Sequence, residues 1–183
     1  MTPTSVTVVG LVAGVITPFI AQAGGLWLVP AAVSVAVVVA CDRWYPSVAR
    51  RFGDPTRRVL VFVPLSARLV EVAWLYGFHR LGVPTGVLIG AGAVTILHEY
   101  LRARGQIAGL REVALSTLGE RSSRLWSALA GYGVAAVVSV TGTAIAPGMV
   151  TGVATIAAIA WLLLGVLGLV QLMIVVSAAL RGR

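Results

Sequence analysis

Lysine is absent from this 183-residue chain: all 14 basic residues are arginines, and they face only six acidic residues. Charged residues make up 11% of the sequence against a hydrophobic share of 58%. So little charge excludes an ordinary soluble globular domain, in which roughly a quarter of the residues are charged. The single cysteine, Cys41, excludes an intrachain disulfide and any multi-cysteine metal site, and it reads as a small residue at a helix end. The opening MTPTSV has neither the basic n-region nor the small-residue cleavage site of a secretory signal. The first apolar run is therefore expected to stay as a membrane helix, with no soluble domain at either end. No basic stripe with interleaved aromatics occurs, which argues against nucleic acid as a partner despite a net charge of +8. The spans show no inverted repeat and few polar residues to line a path, which argues against a transporter or channel.

What the chain does have is long apolar runs. Several reach the roughly 20 residues that a helix needs to cross a hydrocarbon core of about 30 Å. Their periodicity and length are helical, unlike the short alternating segments of a barrel. The sequence thus predicts an all-α membrane protein: one integral domain over 1–183, a six-transmembrane-helix bundle with helices at about 5–22, 26–45, 59–78, 85–101, 125–143 and 149–180. No charge falls between Val6 and Ala40, a stretch too long for one ordinary span, and the Gly24-Gly25 pair near its middle marks a tight turn. Pro30 falls in the first turns of the second helix, where a missing donor is tolerated. Trp27 sits near the interface. Pro64 is expected to kink the third helix locally, and the glycines of GVLIGAGAV to allow close packing of the fourth. The last run exceeds one span and is expected to tilt or protrude.

Two charged connections, 46–58 and 102–124, join these spans. Together with the flanking Arg43 and the C-terminus they hold twelve arginines, whereas the opposite side holds only Arg80. By the positive-inside rule both connections and both termini are cytoplasmic, and the expected location is a bacterial plasma membrane. The mixed charge and hydrophobicity of 102–124 suggest an interfacial segment, and anionic headgroups or phosphate-bearing molecules are the partners its arginines suit.

The densest chemistry lies between Cys41 and Glu71, reading CDRWYPSVARRFGDPTRRVLVFVPLSARLVE. Arg68 and Glu71 stand inside the third apolar run, and ionisable residues at membrane depth are functional candidates by default. The stretch resembles the signature of the CDP-alcohol phosphotransferase family, DxxDGxxAR(x)8GxxxDxxxD, laid on without gaps. Asp42, Ala49 and Arg50 match. Tyr45, Val63 and Ala67 stand where the other three aspartates belong, and Pro46 and Val59 replace the two glycines. The opening TPTSVTVVGLVAGV is similar to the TPNxVTxxG start common in the family. EYLRARGQIAGLR, from Glu99 to Arg111, resembles the YxKARAExxGLR segment of the phosphatidylinositol phosphate synthase branch, and GERSSR, from Gly119 to Arg124, resembles that branch's ERPER element. Thr56, Arg57 and Arg68 fall where many members carry the same types.

The resemblance implies a six-helix fold and, in active members, transfer of a phosphoryl-linked group from a CDP-alcohol to an acceptor alcohol with release of CMP. Four aspartates bind divalent metals at the diphosphate and the last serves as general base. Such chemistry needs several hard oxygen ligands for Mg2+ and a carboxylate to accept the hydroxyl proton. A phenol, with a reference pKa of about 10, does not replace an anionic ligand, and an isopropyl group offers no lone pair. Tyr45, Val63 and Ala67 therefore predict a catalytically deficient member, with no cofactor.

The alternative is an active enzyme using Mg or Mn on a rearranged set of Asp42, Glu71 and Glu99. Glu71 lies one turn beyond Ala67 on the same face; it also stands three residues after Arg68, and the cost of an unpaired charge at that depth favours an ion pair. Asp54, beside Pro55, reads as a turn residue. His98 and Glu99 read as a packed interfacial pair and form no metal motif alone. Arg50, Arg57, Arg102, Arg104, Arg111, Arg121 and Arg124 are candidate nucleotide or phosphate ligands, or else positive-inside residues paired with Glu112 and Glu120. Because active relatives are homodimers, the expected partners are membrane lipids and either a second copy or another membrane protein.

Overall fold

The computed structural model of the chain describes residues 2–52, 57–110, 117–141 and 148–181, without the side chains of 57 and 58. Six helices follow one another: α1 (Pro3–Ala21), α2 (Leu28–Ala49), α3 (Arg57–Arg80), α4 (Thr85–Ile107), α5 (Arg121–Thr141) and α6 (Met149–Arg181). There is no strand among the described residues. Five of the six, all but α4, are long and apolar enough to cross a membrane. The fourth falls short because His98, Glu99, Arg102 and Arg104 lower the hydropathy of its C-terminal part. Large apolar side chains such as Phe19, Val33, Ile89, Ile156 and Ile174 point outward. An exterior of this kind suits lipid and not water, and the chain is an α-helical integral membrane protein.

Local signals account for the ends. Thr2 caps α1 by accepting from the Ser5 N–H at 3.2 Å, and Pro3 takes the first turn, where its missing donor costs nothing. At the next turn Gly24 and Gly25 adopt φ of 66° and 52°, a conformation that side-chain-bearing residues avoid. A single 3-10 turn, Gly25–Trp27, then leads into α2. Two helices outrun their expected ends: α2 continues through Pro46 to Ala49, and α4 continues past 101 to Ile107. Both overruns lie in the charged connections beyond the long apolar runs, where membrane thickness does not limit a helix. Pro46 lies in the last turn of α2, so it removes only one of the final backbone bonds. Helix α3 runs unbroken through Pro64, and at about 1.5 Å per residue the 33 residues of α6 span about 50 Å, well over one hydrocarbon core.

Helix α1 packs on α2 and α3, α5 packs on α2 and α6, and α4 packs on α6. Their shared interior is aromatic at its centre. Trp74, Phe78, Tyr132 and Trp161 are almost fully buried, with the Phe78 and Tyr132 rings stacked at 4.7 Å. Two of its polar edges have partners, Tyr132 donating to the Trp74 carbonyl at 2.9 Å and Trp161 Nε1 to Thr95 Oγ1 at 3.1 Å, whereas Trp74 Nε1 is buried without one. Hydrogen-bonded in this way, Tyr132 and Trp161 retain their full apolar contribution.

Candidate functional site

A cavity of about 340 Å³ opens at the end of the bundle where α1, α3 and α5 begin and α2 and α4 end. Four positions from two helices line it: Asp42 and Tyr45 from α2, Val63 and Ala67 from α3. These are the four positions laid on the aspartates of the signature. The i,i+3 and i,i+4 spacings put each pair on one helix face, and the packing of α1 between α2 and α3 turns both faces toward one space. Val6, Thr7, Gly10 and Leu11 of α1 close its wall.

Much of the remaining lining is ionic. Arg68, Glu99, Arg102, Glu120 and Arg121 reach the cavity from α3, α4 and the start of α5. Arg121 Nε donates to Asp42 Oδ1 at 2.6 Å, and its Nη1 stands 3.8 Å from Glu71 Oε1. Arginine in the first turn of a helix opposes the helix dipole, so Asp42 supplies the counter-charge that α5 itself lacks. Arg102 Nη2 donates to Glu120 Oε1 at 2.6 Å, and the same oxygen accepts from the Thr117 N–H at 3.1 Å.

Behind the cavity wall lies a buried pair of higher consequence. The side chains of Glu71 and Arg124 are only 3% and 2% exposed and meet at 3.0 Å. Arg124 also donates to Glu99 Oε1 at 2.6 Å and to the Gly119 carbonyl, while Arg68 reaches Glu71 at 2.6 Å and Glu99 at 3.4 Å. Asp42, Glu71 and Glu99 with Arg68, Arg121 and Arg124 thus form one connected network, and Glu120 with Arg102 forms a further pair on the cavity wall, four carboxylates and four guanidiniums among the described residues. In a low-dielectric interior such equality is what allows charges to persist, since any unmatched one carries a large desolvation cost.

The candidate residues therefore divide. Arg102, Arg121 and Arg124 come together with Asp42 and Glu71, but Arg124 is sealed behind the wall. Arg50 and Arg104 are exposed and do not line the cavity; Arg50 makes only a 3.4 Å contact to Ser47. The expected grouping of these two with Arg102, Arg121 and Arg124 does not occur, because both point outward from the ends of α2 and α4. Arg111 and Asp54 lie outside the described residues, as does the Arg57 side chain. His98 is fully buried with Nε2 2.8 Å from Thr117 Oγ1.

Two supporting residues carried no sequence signal. Gly168 of α6 meets the backbone of Gly119 so closely that a Cβ would collide with it, and Gln171 Oε1 accepts from the Leu118 N–H at 3.0 Å. Together they hold the 117–120 turn against α6 and so set the position of Glu120 and Arg121. One apolar run of 33 residues gives no hint of which glycine or glutamine does this.

Divalent metal does not fit these residues. Tyr45, Val63 and Ala67 contribute no carboxylate, Asp42 is occupied by Arg121, and among the described residues no three His, Cys, Asp or Glu side chains are grouped to hold an ion. Compared with protein-family models, with curated proteins and with solved structures, the chain matches none, so any reading of its function rests on this cavity and its charges.

Proposed function

We propose that this chain is a catalytically deficient membrane protein of CDP-alcohol phosphotransferase type, with six membrane spans, both termini cytoplasmic, and a bacterial plasma membrane as its location. Its cavity holds a lipid or phosphate-bearing group without turning it over, and the protein acts as a subunit paired with a second copy or with another membrane protein. One observation carries the proposal. The positions equated with the four signature aspartates surround a single cavity, yet only Asp42 is acidic there, and its carboxylate is held by Arg121 at 2.6 Å. A signature matched by chance has no reason to converge on one cavity; a signature that has lost three carboxylates has no set of ligands for the metal and no base at Ala67.

The test is direct. Purified protein is incubated with CDP-diacylglycerol, Mg2+ or Mn2+ and a panel of acceptor alcohols, and CMP is measured. The expected outcome is no release above background. CMP release that disappears in Asp42→Ala would establish an active transferase and overturn the proposal.

A further inference from the structure

The charged cavity does not end at its polar wall. A second cavity, about 430 Å³, lies against it between α1 and α3, and the two share Thr7, Leu11, Tyr45, Val63 and Ser66. Its other side is formed by Phe62, Leu65 and Leu69, each about half exposed on the lipid-facing surface. A polar chamber thus joins an apolar one that is reached from the bilayer.

We propose that the two cavities form one site for a zwitterionic phospholipid, with the phosphate on Arg121, the ammonium among the carboxylates, and an acyl chain between α1 and α3, without a divalent metal. This rests on reading the cavity as a ligand site and names its ligand class. Three observations select that class. Arg121 lines the cavity with its side chain 26% exposed, and among the described contacts only its Nε is hydrogen-bonded, to Asp42 Oδ1 at 2.6 Å. A guanidinium that faces the cavity with donors to spare is a ready partner for a phosphate oxygen. Asp42, Glu99 and Glu120 each meet their arginines through one carboxylate oxygen among the described contacts, which leaves the other oxygen of each for a cation. Most decisive is the charge balance: among the described residues three carboxylates and three guanidiniums line the chamber, and Glu71 with Arg124 behind it are balanced too. An anionic lipid brings an unmatched charge into a low-dielectric space, whereas a zwitterion brings none. A neutral diacylglycerol offers Arg121 only uncharged ester and hydroxyl oxygens, which make weaker bonds to a guanidinium than a phosphate does.

The experiment is native mass spectrometry of the full chain in mild detergent with EDTA present, titrated with phosphatidylethanolamine, phosphatidylglycerol, diacylglycerol and soluble phosphoethanolamine. Phosphatidylethanolamine is expected to bind at least ~10-fold more tightly than each of the others. Arg121→Gln should remove that preference. Leu69→Trp, which fills the apolar chamber from an exposed position and leaves every charge in place, should weaken the lipid while leaving phosphoethanolamine unchanged. Equal or tighter binding of phosphatidylglycerol or diacylglycerol, equal binding of phosphoethanolamine, a requirement for Mg2+, or full binding by a folded Leu69→Trp variant would each overturn the assignment. Absence of CMP release has no bearing on these outcomes, so the two proposals fail separately.

Discussion

Arg124 is held more fully than any other charged side chain among the described residues. It is 2% exposed and divides its donors among Glu71, Glu99 and the Gly119 carbonyl. Replacing it with methionine keeps much of the volume but takes from Glu71 its buried partner, leaving Arg68 at 2.6 Å and Arg121 at 3.8 Å. Breaking a buried pair from one side costs about 3–5 kcal/mol. Arg124→Met and Glu71→Gln should therefore each lower stability by that order in thermal or SDS unfolding of the purified protein. The double variant should lose distinctly less than the sum, because the second change removes the charge stranded by the first. Additive losses would mean that the two residues are independent. Glu71 also shows how far sequence can reach into the site. Its pairing with Arg68 follows from i,i+3 spacing. Its pairing with Arg124, 53 residues away, has no local pattern, for it exists only once α3 and α5 lie side by side.

Among the helices, α6 does two jobs: its apolar length buries the core, and one close approach fixes the site. Gly168 is the point of contact with Gly119, and a side chain there must push the 117–120 turn outward. Gly168→Val is expected to cost about 1–3 kcal/mol by overpacking and to remove the binding preference that depends on Arg121. Gly152→Val, in the same helix but with nothing within 4 Å of its Cβ position, should alter neither. Thermal unfolding and lipid titration of the two variants side by side separate a local effect at Gly119 from a general loss of helix packing. The existence and approximate placement of all six helices were legible in the sequence, because an apolar run of helical length has few alternatives in lipid. The extensions of α2 to Ala49 and α4 to Ile107 were not: both lie beyond the long apolar runs, where membrane thickness sets no limit. The four signature positions could be enumerated from spacing alone. That Asp42 would be claimed by Arg121 could not, since one ends a helix and the other begins a helix 79 residues later.

The course of the chain across the membrane turns on α4, the one helix outside the five apolar candidates. If α4 crosses, six spans return the C-terminus to the side of the N-terminus, and the ends of α2 and α4 share that side with most of the arginines. If it does not, the end of α4 stays with the α3–α4 turn. The charge network favours crossing. Glu99 and Arg102 of α4 meet Arg124 and Glu120 at the start of α5, and Arg121 beside them meets Asp42 near the end of α2, so both charged connections lie at one end of the bundle. By the positive-inside rule that end is expected to face inward. Cysteine labelling decides the matter in intact bacterial cells expressing a Cys41→Ser background. Ser47→Cys, Gly86→Cys and Gln106→Cys are exposed positions that leave every arginine in place. A membrane-impermeant maleimide is expected to label Gly86→Cys in intact cells, and Ser47→Cys and Gln106→Cys only after lysis. Labelling of Gln106→Cys together with Gly86→Cys would mean that α4 fails to cross. Labelling of Ser47→Cys and Gln106→Cys in intact cells, with Gly86→Cys protected, would keep six spans and reverse the orientation.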